Sequence, residues 1–162
     1  MQKSPQREEM TRLGYYGLIP FVAGAVALWL SPWILPLHIA LDFHQLALVY
    51  GGVIVVYLAG VNSGAILTPK LKSPGSFIPG QLMALVALFA ILPRGTFFFS
   101  LDAAWSHFVI LILLVYLLMR DLAAVSDGIL PRWYGTLRMR LTFWAGLSIL
   151  MIISRLLLLG FY

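Results

Sequence analysis

Residues 77–93 read FIPGQLMALVALFAILP, and whether this run crosses a membrane decides between a fold of four spans and one of five. Between Pro79 and Pro93 it offers only about 14 residues, against the roughly 20 that cover about 30 Å of hydrocarbon. It must therefore draw in interfacial residues, thin the bilayer or sit re-entrant. The basic residues on either side decide for a full span. Lys70 and Lys72 precede the run and Arg94 follows it. Grouped with Lys70 and Lys72, the set Lys3, Arg7, Arg12, Arg120, Arg132, Arg138 and Arg140 makes nine basic residues on one side, and only Arg94 and Arg155 remain for the other. That asymmetry places the N-terminus inside and the C-terminus outside, and only an odd number of spans preserves it.

Working outward, further apolar runs occupy 13–30, 46–67, 101–119 and 139–160, which with 77–92 makes five. Of the 162 residues, 61% are hydrophobic and 10% charged, and the mean hydropathy is +0.94, a composition that excludes an ordinary water-soluble domain. The expected fold class is an all-α integral membrane protein, a single membrane domain over 1–162 built as a five-transmembrane-helix bundle. The first run is followed by no small-residue cleavage site, so it is expected to stay as a span rather than leave as a signal peptide. Glu8 and Glu9 argue against a mitochondrial transit peptide. Pro20, inside the first run, should kink it or leave a free carbonyl. The net charge of +5 is spread singly between apolar runs rather than gathered in a stripe, which argues for lipid topology and against nucleic-acid binding.

The absence of cysteine removes thiolate metal sites, iron–sulfur clusters and cysteine nucleophiles. No P-loop, HExxH, GxSxG or dinucleotide fingerprint is present, and no two carboxylates share a span, so no catalytic set is expected. The polar residues inside apolar runs are then the informative ones, because an unpaired polar group in hydrocarbon is expensive. In the second run, Gly60 and Gly64 form a GxxxG, expected to be a helix-packing seam, with Asn62 as its central polar group. On the outer side the topology brings His38, Asp42, His44, Arg94, Asp102, His107 and Arg155 to one depth. Of these, Asp102, His107 and Arg155, together with Asn62, are the candidate ligand-binding residues. Arg155 either snorkels to the headgroups or pairs with Asp102. The spacing of His38, Asp42 and His44 fits a solvated or interfacial loop better than a metal site, and no metal is expected. His107 has no histidine at matching depth in another span that would make a haem pair. The inner loop containing Arg120, Asp121, Arg132, Trp133, Tyr134, Arg138 and Arg140 reads as an anchor to anionic lipid.

Three stretches carry a family resemblance: Leu13-Gly14-Tyr15-Tyr16-Gly17-Leu18-Ile19-Pro20-Phe21, then Tyr50-Gly51-Gly52-Val53-Ile54 with Leu58-Ala59-Gly60, and Leu130-Pro131-Arg132-Trp133-Tyr134 with Leu137-Arg138 and Leu141-Thr142. The chain in this respect resembles the DUF3429 family, bacterial relatives of the mitochondrial transmembrane protein 69. It departs from that family's pattern at Ser63, where the family carries a tryptophan. The resemblance implies a small multispanning inner-membrane protein and brings no reaction with it.

The expected function is that of a non-catalytic, multi-pass protein of the bacterial inner (cytoplasmic) membrane, an accessory, assembly or scaffold subunit of a larger membrane complex. Its partners would be the lipid bilayer and a membrane protein or a second copy of itself. The alternative is a binder or carrier of a hydrophobic ligand, a tetrapyrrole, quinone or lipid, in an outer-leaflet pocket near Asp102, His107 and Arg155. No resident cofactor is expected.

Overall fold

A computed structural model describes residues 5–66, 77–93 and 101–160. The described residues form six helices and no strand: α1 (Pro5–Tyr16), α2 (Ile19–Leu30), α3 (Leu37–Ile66), α4 (Ile78–Ile91), α5 (Ala103–Ser126) and α6 (Arg132–Leu158). Lys70, Lys72 and Arg94, which carried the sidedness argument around the third run, lie outside the described residues.

The first apolar run is divided rather than kinked. Leu18 N–H donates to Tyr15 C=O at 3.1 Å, a tight i−3 closure that ends α1, and Pro20 falls in the first turn of α2, where its missing N–H leaves no broken bond. α3 begins at Leu37, directly after Pro36, rather than at residue 46, so His38, Asp42 and His44 are helical and not in a loop. No proline or glycine interrupts residues 37–50, and helix propensity with burial outweighs the polarity of those three side chains. α5 likewise continues past Arg120 and Asp121 to Ser126. It stops there because Gly128 takes a φ of +74° and the Ile129 N–H returns to Ala124 C=O, a glycine C-cap that side chains with a Cβ adopt only under strain.

Close pairs along the helices give their directions. Phe21 meets Tyr50 and Gly24 meets Ala47, so α2 and α3 are antiparallel. Gly52 meets Ile91 and Ser63 meets Gly80, so α4 runs back along α3. His44 meets His107 and Asn62 meets Asp121, so α5 is parallel to α3, and Gly146 meeting Leu111 makes α6 antiparallel to α5. The short α4 therefore runs antiparallel to α3 over the stretch from Ser63 to Gly52. Its 14 residues rise about 21 Å.

α2 packs on α3 and α6, while α5 packs on α3, α4 and α6, so α2, α3, α5 and α6 form a square with α3 and α6 on one diagonal and α4 against the α3–α5 edge. One buried cluster around Val55, Ile110, Leu117 and Ile149 fills the middle, and a second around Leu28, Ala40, Ile152 and Leu156 fills the end where α2 stops. Four helices, Arg7–Leu30 (α1 with α2), α3, α5 and α6, are long and apolar enough to cross a membrane, and α4 is a shorter apolar helix. Side chains such as Val22, Val26, Tyr57, Ile112 and Phe143 point outward from them, a surface that suits hydrocarbon rather than water.

The expected seam at Gly60 and Gly64 lies elsewhere. Both glycines are exposed, and a Cβ at either would meet nothing within 4 Å. The α3–α4 contact is made one residue out of phase, by Ala59 and Ser63 against Gly80, where a Cβ would sit 2.8 Å from Ser63 Oγ. A helix rotates 100° per residue, so that single step turns the GxxxG face out of the contact.

Candidate functional site

The four sequence candidates sort to opposite ends of the bundle, Asp102, His107 and Arg155 at one and Asn62 at the other. At the end where α2 stops, Arg155 is bonded to the protein's own backbone. Its Nε donates to Leu28 C=O at 3.2 Å and its Nη2 to Ser31 C=O at 2.5 Å, and the guanidinium carbon lies 5.7 Å from the centre of the Trp29 ring. The cation thus caps carbonyls that α2 leaves open at its negative dipole end. Asp102 is the N-cap residue of α5. Arg155→Met should therefore lower stability by about 1–3 kcal/mol through those two lost bonds, read as a shift in thermal unfolding, whereas a snorkelling arginine would give almost none.

His107 does have a histidine at its own depth. His44 of α3 lies 5.5 Å away, ring centre to ring centre, with the planes inclined by 52°. His107 Nδ1 is 2.8 Å from Ala103 C=O, which makes Nδ1 the protonated nitrogen. Among the described residues no three His, Asp or Glu side chains gather as metal ligands.

The other end holds the polar centre. Asp121 of α5 is fully buried, and both of its oxygens are used: Oδ1 accepts from Asn62 Nδ2 of α3 at 2.7 Å and Oδ2 from Arg138 Nε of α6 at 2.6 Å. Arg138 is only 7% exposed, so the residue expected in a lipid-anchoring loop is a core residue. A buried ion pair of this kind survives only with short, well-directed bonds from both partners, and this one ties three helices together. Asn62 was expected as the polar group of a packing seam. It instead orients the carboxylate.

Arg138 also lines a cavity of about 480 Å³ lying across the α3–α6 diagonal, with the end of α1 and start of α2 closing one side. That volume falls in the range of about 300–1,000 Å³ usual for small-molecule sites. Its walls are apolar and aromatic, including Leu18, Phe21, Tyr50, Ile54 and Leu58. Gly14 and Gly17 make the closure: a Cβ at Gly14 would lie 2.7 Å from Leu141 Cδ1, and one at Gly17 would lie 3.1 Å from the Tyr50 hydroxyl. Into this cavity α6 presents Tyr134, Arg138 and Thr142, four residues apart and so on one face.

Two of those groups stand without a partner among the described residues: Arg138 Nη2 and Thr142 Oγ1, both buried. The threonine is informative because Ser63, Thr136 and Ser148 all return their hydroxyls to the carbonyl four residues back, at 2.9, 3.4 and 3.0 Å. Thr142 makes no such bond. Buried polar groups left open in this way call for an explanation, and a polar atom from outside the protein is one. The sequence reading placed Arg138 by its charge alone and missed it.

All three stretches that carry the family resemblance contribute walls to this cavity, Leu18 and Phe21 from the first, Tyr50 and Ile54 from the second, Arg138 and Thr142 from the third. No curated protein and no solved structure is similar to the chain. The family described as "Protein of unknown function (DUF3429)" matches residues 6–154, most of the length, and the chain belongs to the DUF3429 family.

Proposed function

We propose that the protein is a non-catalytic binder of a mostly apolar small molecule, a lipid, quinone or similar compound, held in the cavity between α3 and α6. The observation that carries this reading is the pair of buried groups, Arg138 Nη2 and Thr142 Oγ1, unpartnered among the described residues, on two residues that line a cavity whose other walls, Glu9 apart, are mostly apolar and aromatic. The protein would sit in the bacterial inner membrane with five spans and its N-terminus inside, a sidedness that the nine-to-two split of basic residues supports. The ligand would then enter from the inner leaflet, the side opposite to the one that Asp102, His107 and Arg155 suggested.

Protein taken from native membranes should release one apolar compound in near-equal molar amount on solvent extraction, and Val61→Trp, which fills the cavity from α3, should release far less. Recovery of bulk lipid alone, identical in both proteins, would contradict the reading.

A second reading, the accessory or scaffold subunit, is favoured by one specific observation. Gly60 and Gly64 lie open on the exterior of α3, one turn apart, where the backbone of a partner's helix can come close. In that case Gly60→Leu would lose a co-purifying partner while the isolated protein kept its stability.

A further inference from the structure

We infer that the cavity selects an uncharged ligand whose head carries a carbonyl oxygen, and that it discriminates against anionic amphiphiles in spite of the arginine on its wall. This inference rests on the proposal that the cavity holds a ligand, and it specifies that ligand's chemistry.

An arginine at the base of an apolar cavity ordinarily suggests a phosphate or carboxylate. Here its charge is already matched. Arg138 Nε is bonded to Asp121 Oδ2 at 2.6 Å, and the carboxylate is held in place on its other oxygen by Asn62. Asp121 is wholly buried, so water does not weaken the pairing. A second carboxylate, Glu9 of α1, also lines the cavity. An anionic head would thus meet an arginine whose charge Asp121 already matches from behind the wall, with the exposed carboxylate Glu9 on the same lining, so the anion's own charge would go unmatched.

A cationic head fares no better, since the groups waiting at the wall are the Arg138 Nη2 donor and the Thr142 hydroxyl, and an ammonium has only donors to offer. A neutral oxygen acceptor satisfies both. Arg138 and Thr142 stand four residues apart, about 6 Å along the α6 axis, a separation that suits one carbonyl reached from both sides or two carbonyls on a flat head. Phe21 and Tyr50, packed edge to face with ring centres 5.5 Å apart, supply an aromatic wall beside them. Two sources share this chemistry, a quinone ring and the ester carbonyls of an uncharged glycerolipid.

Trp fluorescence of the full chain in a neutral maltoside detergent measures the choice, with four probes: a decyl-substituted benzoquinone, dioctanoylglycerol, dodecyl phosphate and dodecyltrimethylammonium. At least one uncharged probe should bind at least about tenfold more tightly than either charged one. The stronger of the two uncharged probes identifies the source. Thr142→Val, which removes the hydroxyl and keeps the shape, should weaken that probe by about fivefold to tenfold, the worth of one hydrogen bond. Glu9→Gln, an exposed change, should narrow the gap between the uncharged probe and dodecyl phosphate. Dodecyl phosphate binding as tightly as, or more tightly than, the uncharged probes would overturn the inference and leave the binding reading standing. Saturable binding of none of the four would overturn both.

Discussion

Asp121→Ala should lower the unfolding free energy by about 3–5 kcal/mol, the largest loss expected of any single exchange in the chain, because it leaves Arg138 buried with an unmatched charge and Asn62 without its acceptor. The exposed alternative, in which the pair is merely a surface ion pair, predicts below about 1 kcal/mol. Burial decides between them: the Asp121 side chain is fully enclosed and the Arg138 side chain is 9% exposed. The double exchange Asp121→Leu with Arg138→Met removes both charges together and should recover most of the loss, since well-packed apolar residues often replace a buried pair at little cost. Unfolding in mixed detergent, followed by circular dichroism, measures all three proteins. Equal losses for the single and double variants would show that volume rather than charge matters at this point.

The second large effect falls on a glycine that carries no sequence motif. A Cβ at Gly24 of α2 would lie 2.9 Å from the Ala47 Cβ and 3.2 Å from the Phe43 carbonyl oxygen of α3. Neither atom is the end of a flexible side chain, so Gly24→Leu must separate the helices and should cost about 1–3 kcal/mol or more. The better helix propensity of leucine, worth up to about 1 kcal/mol, does not offset that. Gly60→Leu, on the open face of α3, should gain that propensity and leave the isolated protein as stable as before or up to about 1 kcal/mol more stable. Comparing the two melting temperatures checks the assignment of the seam. A larger loss at Gly60 than at Gly24 would reverse it.

The features that follow from period and charge were legible in the sequence. The five apolar runs came through as apolar helices, four of them long enough to cross a membrane and α4 shorter, and α3 and α5 run parallel, the course that a crossing 77–92 run gives. What failed was phase and register. The GxxxG marks small residues, but which face of α3 they occupy depends on the rotation of the whole helix, and the contact went to Ala59 and Ser63 instead. His44 was read as loop because polarity was weighed above an uninterrupted helical stretch. Its place beside His107 depends on α3 starting at Leu37.

Arg138 and Asp121 are the instructive miss. They stand equally far on either side of the turn between Ile129 and Leu130, so an antiparallel hairpin places them opposite each other, and the register was available from the sequence alone. Grouping every basic residue into a topology count hid that. The cavity itself was not legible, because it arises where α1 breaks from α2 and where two glycines let α1 lean onto α3 and α6, a packing outcome with no periodic signal.

The most direct test of the central claim is a density map of the native protein, purified from its own membranes and held in a lipid nanodisc. The account predicts non-protein density in the cavity between α3 and α6, with an atom within hydrogen-bonding distance of Arg138 Nη2 and Thr142 Oγ1. A cavity closed by side chains, with both groups bonded to the protein's own atoms, would contradict it.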